Sequence, residues 1–246
     1  MDLFVNKSPS KGVSIIENAI IFPAAIKALF QEKGTFVTTK KGAQLFQEGS
    51  LADQLYLVKS GTVQITKETE SGKELAIRIC GEQTLIGETT VFCCSTFHST
   101  TAKALTQAEL YTLSREAFER YLQNEPTTMT TYLKWLQIEH LKNQSRLRDL
   151  VLHGKKGALY STLIRLANTY GEFQSTNEVL IKLALTNTEI ANLCATSREV
   201  INRMLSDLRK QLILSIDQGY IMIHNLSFLR REIECDNCPL SVCRID

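Results

Sequence analysis

The stretch Thr186-Asn-Thr-Glu-Ile-Ala-Asn-Leu-Cys-Ala-Thr-Ser-Arg-Glu-Val-Ile-Asn-Arg-Met-Leu205 decides how this chain is read. Thr186 is placed as an N-cap, and Glu189, three residues on, completes a capping box that starts a helix. Ile190, Ala191 and Leu193 give that helix a buried face, and Ala191 is small enough for close helix contact. Ser197 caps a second helix whose buried side is Val200, Ile201, Met204, Leu205 and Leu208. Arg198, Glu199, Asn202 and Arg203 fall on its other face, near its start. This is the layout of a helix-turn-helix, whose second helix enters the DNA major groove N-terminus first. There an arginine can read guanine bidentately, and a glutamate can accept from the cytosine amino group. A solvated charged face is the alternative, but the whole pattern followed by a wing favours DNA. The turn would ordinarily carry glycine three residues before Arg198. This chain has Ala195, at a strain on the order of 1 kcal/mol.

Outward from this unit the pattern stays consistent. Leu212 to Ile216 and Tyr220 to His224 form a strand pair joined by Asp217-Gln-Gly219, a wing. A helix from about Lys155 to Tyr170 and a short strand near Val179 to Ala184 precede the unit, and a short helical piece, Leu226 to Glu232, follows it. Between Pro126 and Pro239 there is no proline. From Thr127 to about Leu150, Met129, Leu133, Leu136, His140, Asn143, Leu147 and Leu150 recur at alternating steps of four and three. Such a stripe is either a helix packed on its own domain or a two-stranded dimer seam, where a central polar residue such as Asn143 fixes register.

Glycine marks the other half. Seven of the 12 glycines lie between Gly34 and Gly87, spaced 6 to 12 residues apart. Between them sit β-rich segments, Gln54 to Val58 and Thr62 to Thr66, and Thr100 to Leu113 adds two more strands. This predicts an antiparallel sandwich or barrel. A helical lead-in covers about Ile15 to Gln31, with Pro23 expected to break or kink it.

Composition bounds the function. At 246 residues, 43% hydrophobic and 22% charged, the chain suits two compact domains and argues against disorder. It holds no apolar run of membrane-spanning length, and its first residues lack a signal-peptide core, so a cytoplasmic protein is expected. The net charge is +2, and from Leu150 to Asp246 there are 11 Lys and Arg against 10 Asp and Glu. Bulk charge therefore selects no partner, and DNA binding must rest on local arrangement. No nucleophile–base pair, phosphate loop or His-rich metal motif supports an enzyme.

Seven cysteines, an odd number, speak against a disulfide framework. Cys80, Cys93, Cys94 and Cys194 are scattered, whereas Cys235, Cys238 and Cys243 lie within nine residues. Their C-x2-C-x4-C spacing can wrap one soft metal centre. Pro239 directly after a Cys is a feature of iron–sulfur loops. Zinc, or redox-active free thiols, are the alternatives.

Sandwich, long helix and winged helix-turn-helix, in that order, resemble the cyclic-AMP receptor / fumarate-nitrate-reduction regulator (CRP/FNR) family over nearly the whole chain. Its β-roll signature stands as Lys41-Gly42, Phe46, Gly49, Asp53, Tyr56, Val58, Gly61, Gly81 and Gly87-Glu88, and Ser197-Arg-Glu-Val200 with Arg203 matches its recognition helix. The resemblance implies an α+β fold: a β-roll domain with helical lead-in over 1–125, a dimerisation helix and hinge over 126–152, a winged helix-turn-helix over 153–226 and a cysteine tail over 227–246. It implies a homodimer binding a TGTGA-type inverted repeat in double-stranded DNA through Arg198, Glu199 and Arg203, with RNA polymerase as partner. Members that bind cyclic AMP carry Arg-Ser about ten residues after the Gly-Glu pair. Here those positions are His98 and Ser99, which removes the one charge-assisted contact to the phosphate and argues against cyclic AMP.

FNR-type oxygen sensors hold a [4Fe–4S] cluster, the best known with cysteines before the β-roll. This chain has none before Cys80, and its C-terminal group is similar to the anaerobic regulators of Gram-positive bacteria. A cubane needs four protein ligands and the tail supplies three, which leaves Asp149, His153, Cys194 or a partner-chain residue for the fourth. Asp149, at the junction of the long helix and the DNA-binding domain, is favoured. A solvated charge beside Arg146 and Arg148 is its plainer reading. Cys93 and Cys94 receive no role. The resulting expectation is an oxygen-responsive regulator, mainly an activator, of anaerobic metabolism such as nitrate respiration and fermentation. A regulator with a small effector in the β-roll and a zinc or thiol-redox tail is the competing one.

Overall fold

The computed structural model describes residues 22–70, 72–235 and 238–246. The first residues, read as lacking a signal-peptide core, and the first part of the lead-in helix, to residue 21, lie outside them. Helix α1 (Ala24–Lys33) begins directly after Pro23, which is its N-cap. Pro23 therefore starts this helix instead of kinking it: its fixed φ suits a helix start and its missing N–H is not needed there.

Eight strands follow: β1 (Thr35–Thr39), β2 (Gln44–Phe46), β3 (Gln54–Ser60), β4 (Val63–Glu68), β5 (Glu74–Cys80), β6 (Leu85–Ile86), β7 (Thr101–Ala104) and β8 (Ala108–Ser114). They form two antiparallel sheets, β1-β8-β3-β6 and β2-β7-β4-β5. Val58, Val63, Ile65, Ile86 and Leu110 fill the space between them. The turn glycines do what their spacing announced: Gly42, Gly49, Gly61, Gly72 and Gly87 all have positive φ. At Gly61 a Cβ would also meet the Gln107 carbonyl at 2.2 Å, so no other residue fits there.

Helix α2 (Arg115–Asn124) leads into α3 (Pro126–Tyr170), which is broken at Gly154. With φ 58° and ψ −150°, Gly154 occupies a region open essentially to glycine alone. Before the break, Tyr132 and Trp135 pack into the roll-side core, Trp135 edge-on to Phe22 at 5.6 Å and Tyr132 against Phe118 at 5.5 Å. After it, the run from Ala158 to Ala167 is buried in the second core. The expected seam divides accordingly. Met129, Leu136 and Leu150 are half-buried against the chain's own cores, while Leu133, His140, Asn143 and Leu147 are exposed, as are Leu141, Val151 and Leu152.

The C-terminal domain adds β9 (Gly171–Phe173), β10 (Val179–Ile181), α4 (Asn187–Leu193), α5 (Arg198–Lys210), β11 (Leu214–Asp217), β12 (Tyr220–Ile223) and α6 (Leu226–Glu232). Its sheet runs β11-β12-β10-β9. Leu226, Leu229 and Ile233 belong to the same core as α4 and α5, so the body of this domain extends to Ile233 and the tail proper starts after it. The expected boundary at 226 cut a helix whose apolar face closes that core.

Gly154→Ala should lower stability by about 1–3 kcal/mol, because no atom blocks an added methyl group and the backbone conformation alone resists it. Urea unfolding of the variant checks this. An unchanged midpoint would mean that the helix break does not depend on glycine.

Candidate nucleic-acid interface and thiol centre

The helix-turn-helix forms from the residues that announced it. The Thr186 hydroxyl accepts from the Glu189 amide at 3.2 Å, and the Glu189 carboxylate accepts from the Thr186 amide at 2.6 Å. Ser197 accepts from the Val200 amide at 3.4 Å. Ala195 sits at φ 50°, the left-handed turn conformation. Ala191 and Ile201 are buried between α4 and α5, and Arg198, Glu199, Asn202 and Arg203 are exposed together. Asn202 accepts a hydrogen bond from Asn187, which bridges the two helices on their outer side. The β4–β5 hairpin touches this unit, because Asn192 donates to Glu74 at 2.5 Å.

The tail is a docked segment and not a loose one. Val242, Cys243 and Ile245 are buried. The Cys243 carbonyl accepts from Asn168 at 2.9 Å, the Ile245 amide donates to Thr169 at 3.0 Å, and the Ile245 carbonyl accepts from the Ile79 amide of β5 at 3.2 Å. The last residues thus join the DNA-binding domain to the roll. Lys142 of α3 then donates to the main-chain oxygen of Asp246 at 2.9 Å and to Glu139 at 2.8 Å. Glu139 in turn meets Arg78, whose other partners are Glu88 at 2.8 Å and the Leu85 carbonyl at 3.1 Å.

Asp149 is 3% exposed, so it is not the solvated charge of the plainer reading. One carboxylate oxygen accepts from Arg148 at 2.6 and 3.0 Å, and the other from Ser161 at 2.5 Å and Arg165 at 3.0 Å. Burial pushes its carboxyl upward, but these donors outweigh burial and hold it below the usual carboxylate value. Arg165, 2% exposed, also donates to Ser161, to Ser145 at 2.8 Å and to the Val242 carbonyl at 3.1 Å. The same arginine therefore holds both Asp149 and the tail.

The thiols of Cys238 and Cys243 interact: Cys243, with Arg165 and Ser145 and against burial, holds Cys238 below the usual thiol value, while Cys238 and burial raise Cys243. Cys235 is half-buried beside them and contributes to the field at Cys243. Cys194 is apart: its thiol faces Thr162 at 3.6 Å, and burial pushes it up to about 12, which marks a packed, inert group. His153 is half-buried at the hinge. Cys93 and Cys94 are exposed on the roll. Among the described residues no three His, Cys, Asp or Glu side chains close on a single metal ion.

In the roll, His98 is 4% exposed and stacks on Phe46 at 3.6 Å between centroids and 5° between planes. Burial lowers its imidazole, so it is a packed ring and not a phosphate anchor.

Residues 36–125 match the cyclic nucleotide-binding domain family and residues 157–232 the Crp-like helix-turn-helix domain family. An anaerobic regulatory protein of Bacillus subtilis (strain 168) is 45% identical over 208 residues, which covers 84% of this chain and 87% of that relative. This chain belongs to the CRP/FNR family of transcription regulators. A CRP-like cAMP-activated global transcriptional regulator of Mycobacterium tuberculosis is 26% identical to this family member over 85% of this chain and 92% of that one. Among solved structures, a c-di-GMP-responsive global regulator of Xanthomonas campestris aligns with a TM-score of 0.71 at 22% identity, over 82% of this chain and 100% of that one. FixK2 of Bradyrhizobium japonicum aligns at 0.68 and 16%, over 80% and 96%. At those identities the two structures speak for the fold. The regulator is a DNA-binding protein of α+β architecture, and none of its described helices is long and apolar enough to cross a membrane.

Sequence reasoning singled out Asp149 and the three thiols as candidate ligands but missed Arg165, Ser145, Ser161 and the Lys142–Asp246 tie that surround them. One signal was available: Arg165 is the lone charge in an otherwise uncharged run from Gly157 to Tyr170. A charge there is buried, and a buried charge has a partner.

Asp246 gives a pH test of the docked tail. Burial raises its carboxyl, but Arg244 and Lys142 outweigh burial and hold it below the ordinary value. A depressed folded value adds stability that is present above the unfolded value, about 4, and is lost as pH falls through the folded one. Wild type should exceed Asp246→Asn by about 1–3 kcal/mol at neutral pH, and the gap should shrink below about pH 4. Urea unfolding of both proteins across that range checks this, and a pH-independent gap would rule it out.

Proposed function

We propose that this regulator responds to oxygen through a [4Fe–4S] cluster held by Cys235, Cys238, Cys243 and Asp149, and that it binds DNA as a homodimer while the cluster is intact. The observation that supports this most is the meeting of the thiol pair and the buried Asp149 carboxylate around Arg165, at the break in α3 that joins the two domains. The donor set fits. Cys238 is held below the usual thiol value and Asp149 below the usual carboxylate value, which favours the deprotonated forms that ligands need. When bound, the cluster supplies an oxygen-labile link between the tail and the helix break.

The chain's own residues supply the rest. Engaging the cluster requires Asp149 to give up at least one of its present donors, Arg148, Ser161 or Arg165. Arg165 also holds the Val242 carbonyl, so the tail and the second segment of α3 respond together. Exposed Leu133, His140, Asn143 and Leu147 would form the seam with the second copy. In the major groove Arg198 and Glu199 would read base edges of a TGTGA-type half-site, while Arg203, with Ser197 and Asn202 beside it, would meet phosphate. Half-sites then lie about one helical turn, roughly 34 Å, apart. Likeness to the anaerobic regulatory protein supports a role in anaerobic metabolism, and on this reading the regulator would act in the cytoplasm, mainly as an activator, with RNA polymerase as partner. Cyclic AMP is not the signal on this reading. His98 stands where the phosphate-binding arginine would be, and Glu88 is committed to Arg78.

Anaerobic purification with iron and sulfide analysis is expected to give about four irons per chain and a broad visible band that bleaches in air. Asp149→Ala should yield a cluster that assembles incompletely or bleaches faster. A colourless zinc or metal-free protein would sink the oxygen-sensing reading. For the interface, Arg198→Ala should cost about 1–3 kcal/mol and relax specificity at one base pair, and Arg203→Ala should reduce the salt slope of binding by about 1. DNA affinity and salt dependence unchanged in both variants would remove these residues from the interface.

A further inference from the structure

Between β5, the long helix and α4 lies a cavity of about 170 Å³, lined among others by Ala76, Asn143, Arg146, Leu147, Thr162 and Leu193. Arg146 is its unexplained group. The guanidinium is half-buried, and its one hydrogen bond is a long one, 3.5 Å, to the Ala76 carbonyl. No acidic side chain among the described residues pairs with it. Arg165 and Asp149 line the same cavity but differ in kind: each nitrogen of Arg165 donates, and the Asp149 carboxylate balances its charge. The cavity therefore carries one uncompensated positive charge.

A cation removed from water without a counter-ion is costly, and proteins normally pair such groups. Burial foremost, and Arg165 next, push Arg146 down to about 10, so the charge persists at neutral pH while its environment disfavours it. Asn143 and Thr162 place an amide and a hydroxyl on the same walls, and Leu147 and Leu193 provide apolar ones. The space is smaller than the roughly 300–1,000 Å³ of sites that take drug-sized ligands. One small monovalent anion fits that size and that charge.

We propose that this cavity is a binding site for a small monovalent oxyanion, of carboxylate or nitrate type, held by Arg146 with Asn143 and Thr162. Arg guanidinium pairs with such planar anions bidentately. A bound anion would touch the roll, the long helix and the first helix of the DNA-binding unit at once, and so favour one orientation of the two domains. Asn143 and Leu147 belong to the exposed seam, so a second copy would close the cavity over its occupant. The site borders the proposed cluster site, since Asp149 and Arg165 line it too, but none of the three tail thiols does.

The test uses full-length metal-free protein in chloride buffer, melted with acetate, butyrate or nitrate added at constant ionic strength. Thermal midpoints are expected to rise saturably, by several degrees once the anion exceeds its Kd about a hundredfold. Arg146→Met should abolish the rise and, by removing an uncompensated cation, should melt no lower than wild type without anion. Thr162→Val serves as a second variant, expected to weaken binding severalfold. A response to butyrate and acetate identifies a carboxylate site; a response to nitrate alone identifies an inorganic one. No saturable rise with any of the three, or an equal rise in Arg146→Met, overturns the proposal. Metal analysis plays no part in these outcomes, so they stand or fall separately from the cluster.

Discussion

The buried guanidinium of Arg165 is the interaction around which the two domains are arranged. It lies in the middle of an apolar helix segment, where a lone charge would be very costly, and every direction it points is answered: Asp149 and Ser145 on the segment before the helix break, Ser161 on its own segment, and the Val242 carbonyl on the tail. Removing one partner of such a pair leaves an uncompensated buried charge, a loss of about 3–5 kcal/mol. Breaking Asp149 away therefore needs a replacement interaction of similar size. The positions of the long helix, the tail and the DNA-binding domain follow from satisfying this one cation.

That constraint explains why the helix must break where it does. Met129, Tyr132, Trp135 and Leu136, before Gly154, pack against the roll, and residues after Gly154 form the core of the winged domain. A continuous helix cannot turn Asp149 and Arg165, sixteen residues apart, toward one another and still bury both apolar faces. Gly154, in a conformation closed to other residues, supplies the change of direction at small steric cost. The docked tail then covers the junction, with Ile245 bonded to β5 on one side and to Thr169 on the other.

Much of this was legible in the sequence. The helix-turn-helix could be read because caps, periodicity and turn are local, and Thr186, Glu189, Ser197 and Ala195 each do what their positions implied. The roll was legible through its turn glycines. Strands β1, β2, β5, β6 and β9 and helix α2 were not predicted: β2, β6 and β9 are only two or three residues long, and β1 buries none of its residues, so none of these four shows the alternation that marks a strand. The cysteine group and Asp149 were found as candidates, one by density and the other by its place at the hinge. Arg165, the residue that joins them, was missed because its partners are 16, 20 and 77 residues away, and no local pattern encodes such a meeting.

The same geometry bears on how a small chemical change could move a reading helix. Asp149 has all its acceptor positions occupied, so any new ligand it takes is exchanged against donors it already holds. Exchange of comparable interactions leaves a small net difference, and a small difference is what allows a population to shift in either direction. On the proposed reading, Asp149 and the thiols would hold the cluster, and where Arg165 is the donor that Asp149 gives up, its bond to Val242 would adjust with it. The tail residues beyond Cys243 share that backbone, so the contact of Ile245 with β5 and the ion pairs from Asp246 to Glu88 would feel the change. A switch of this kind needs no large movement at the cluster itself. It needs only that one buried cation cannot be satisfied in two ways at once.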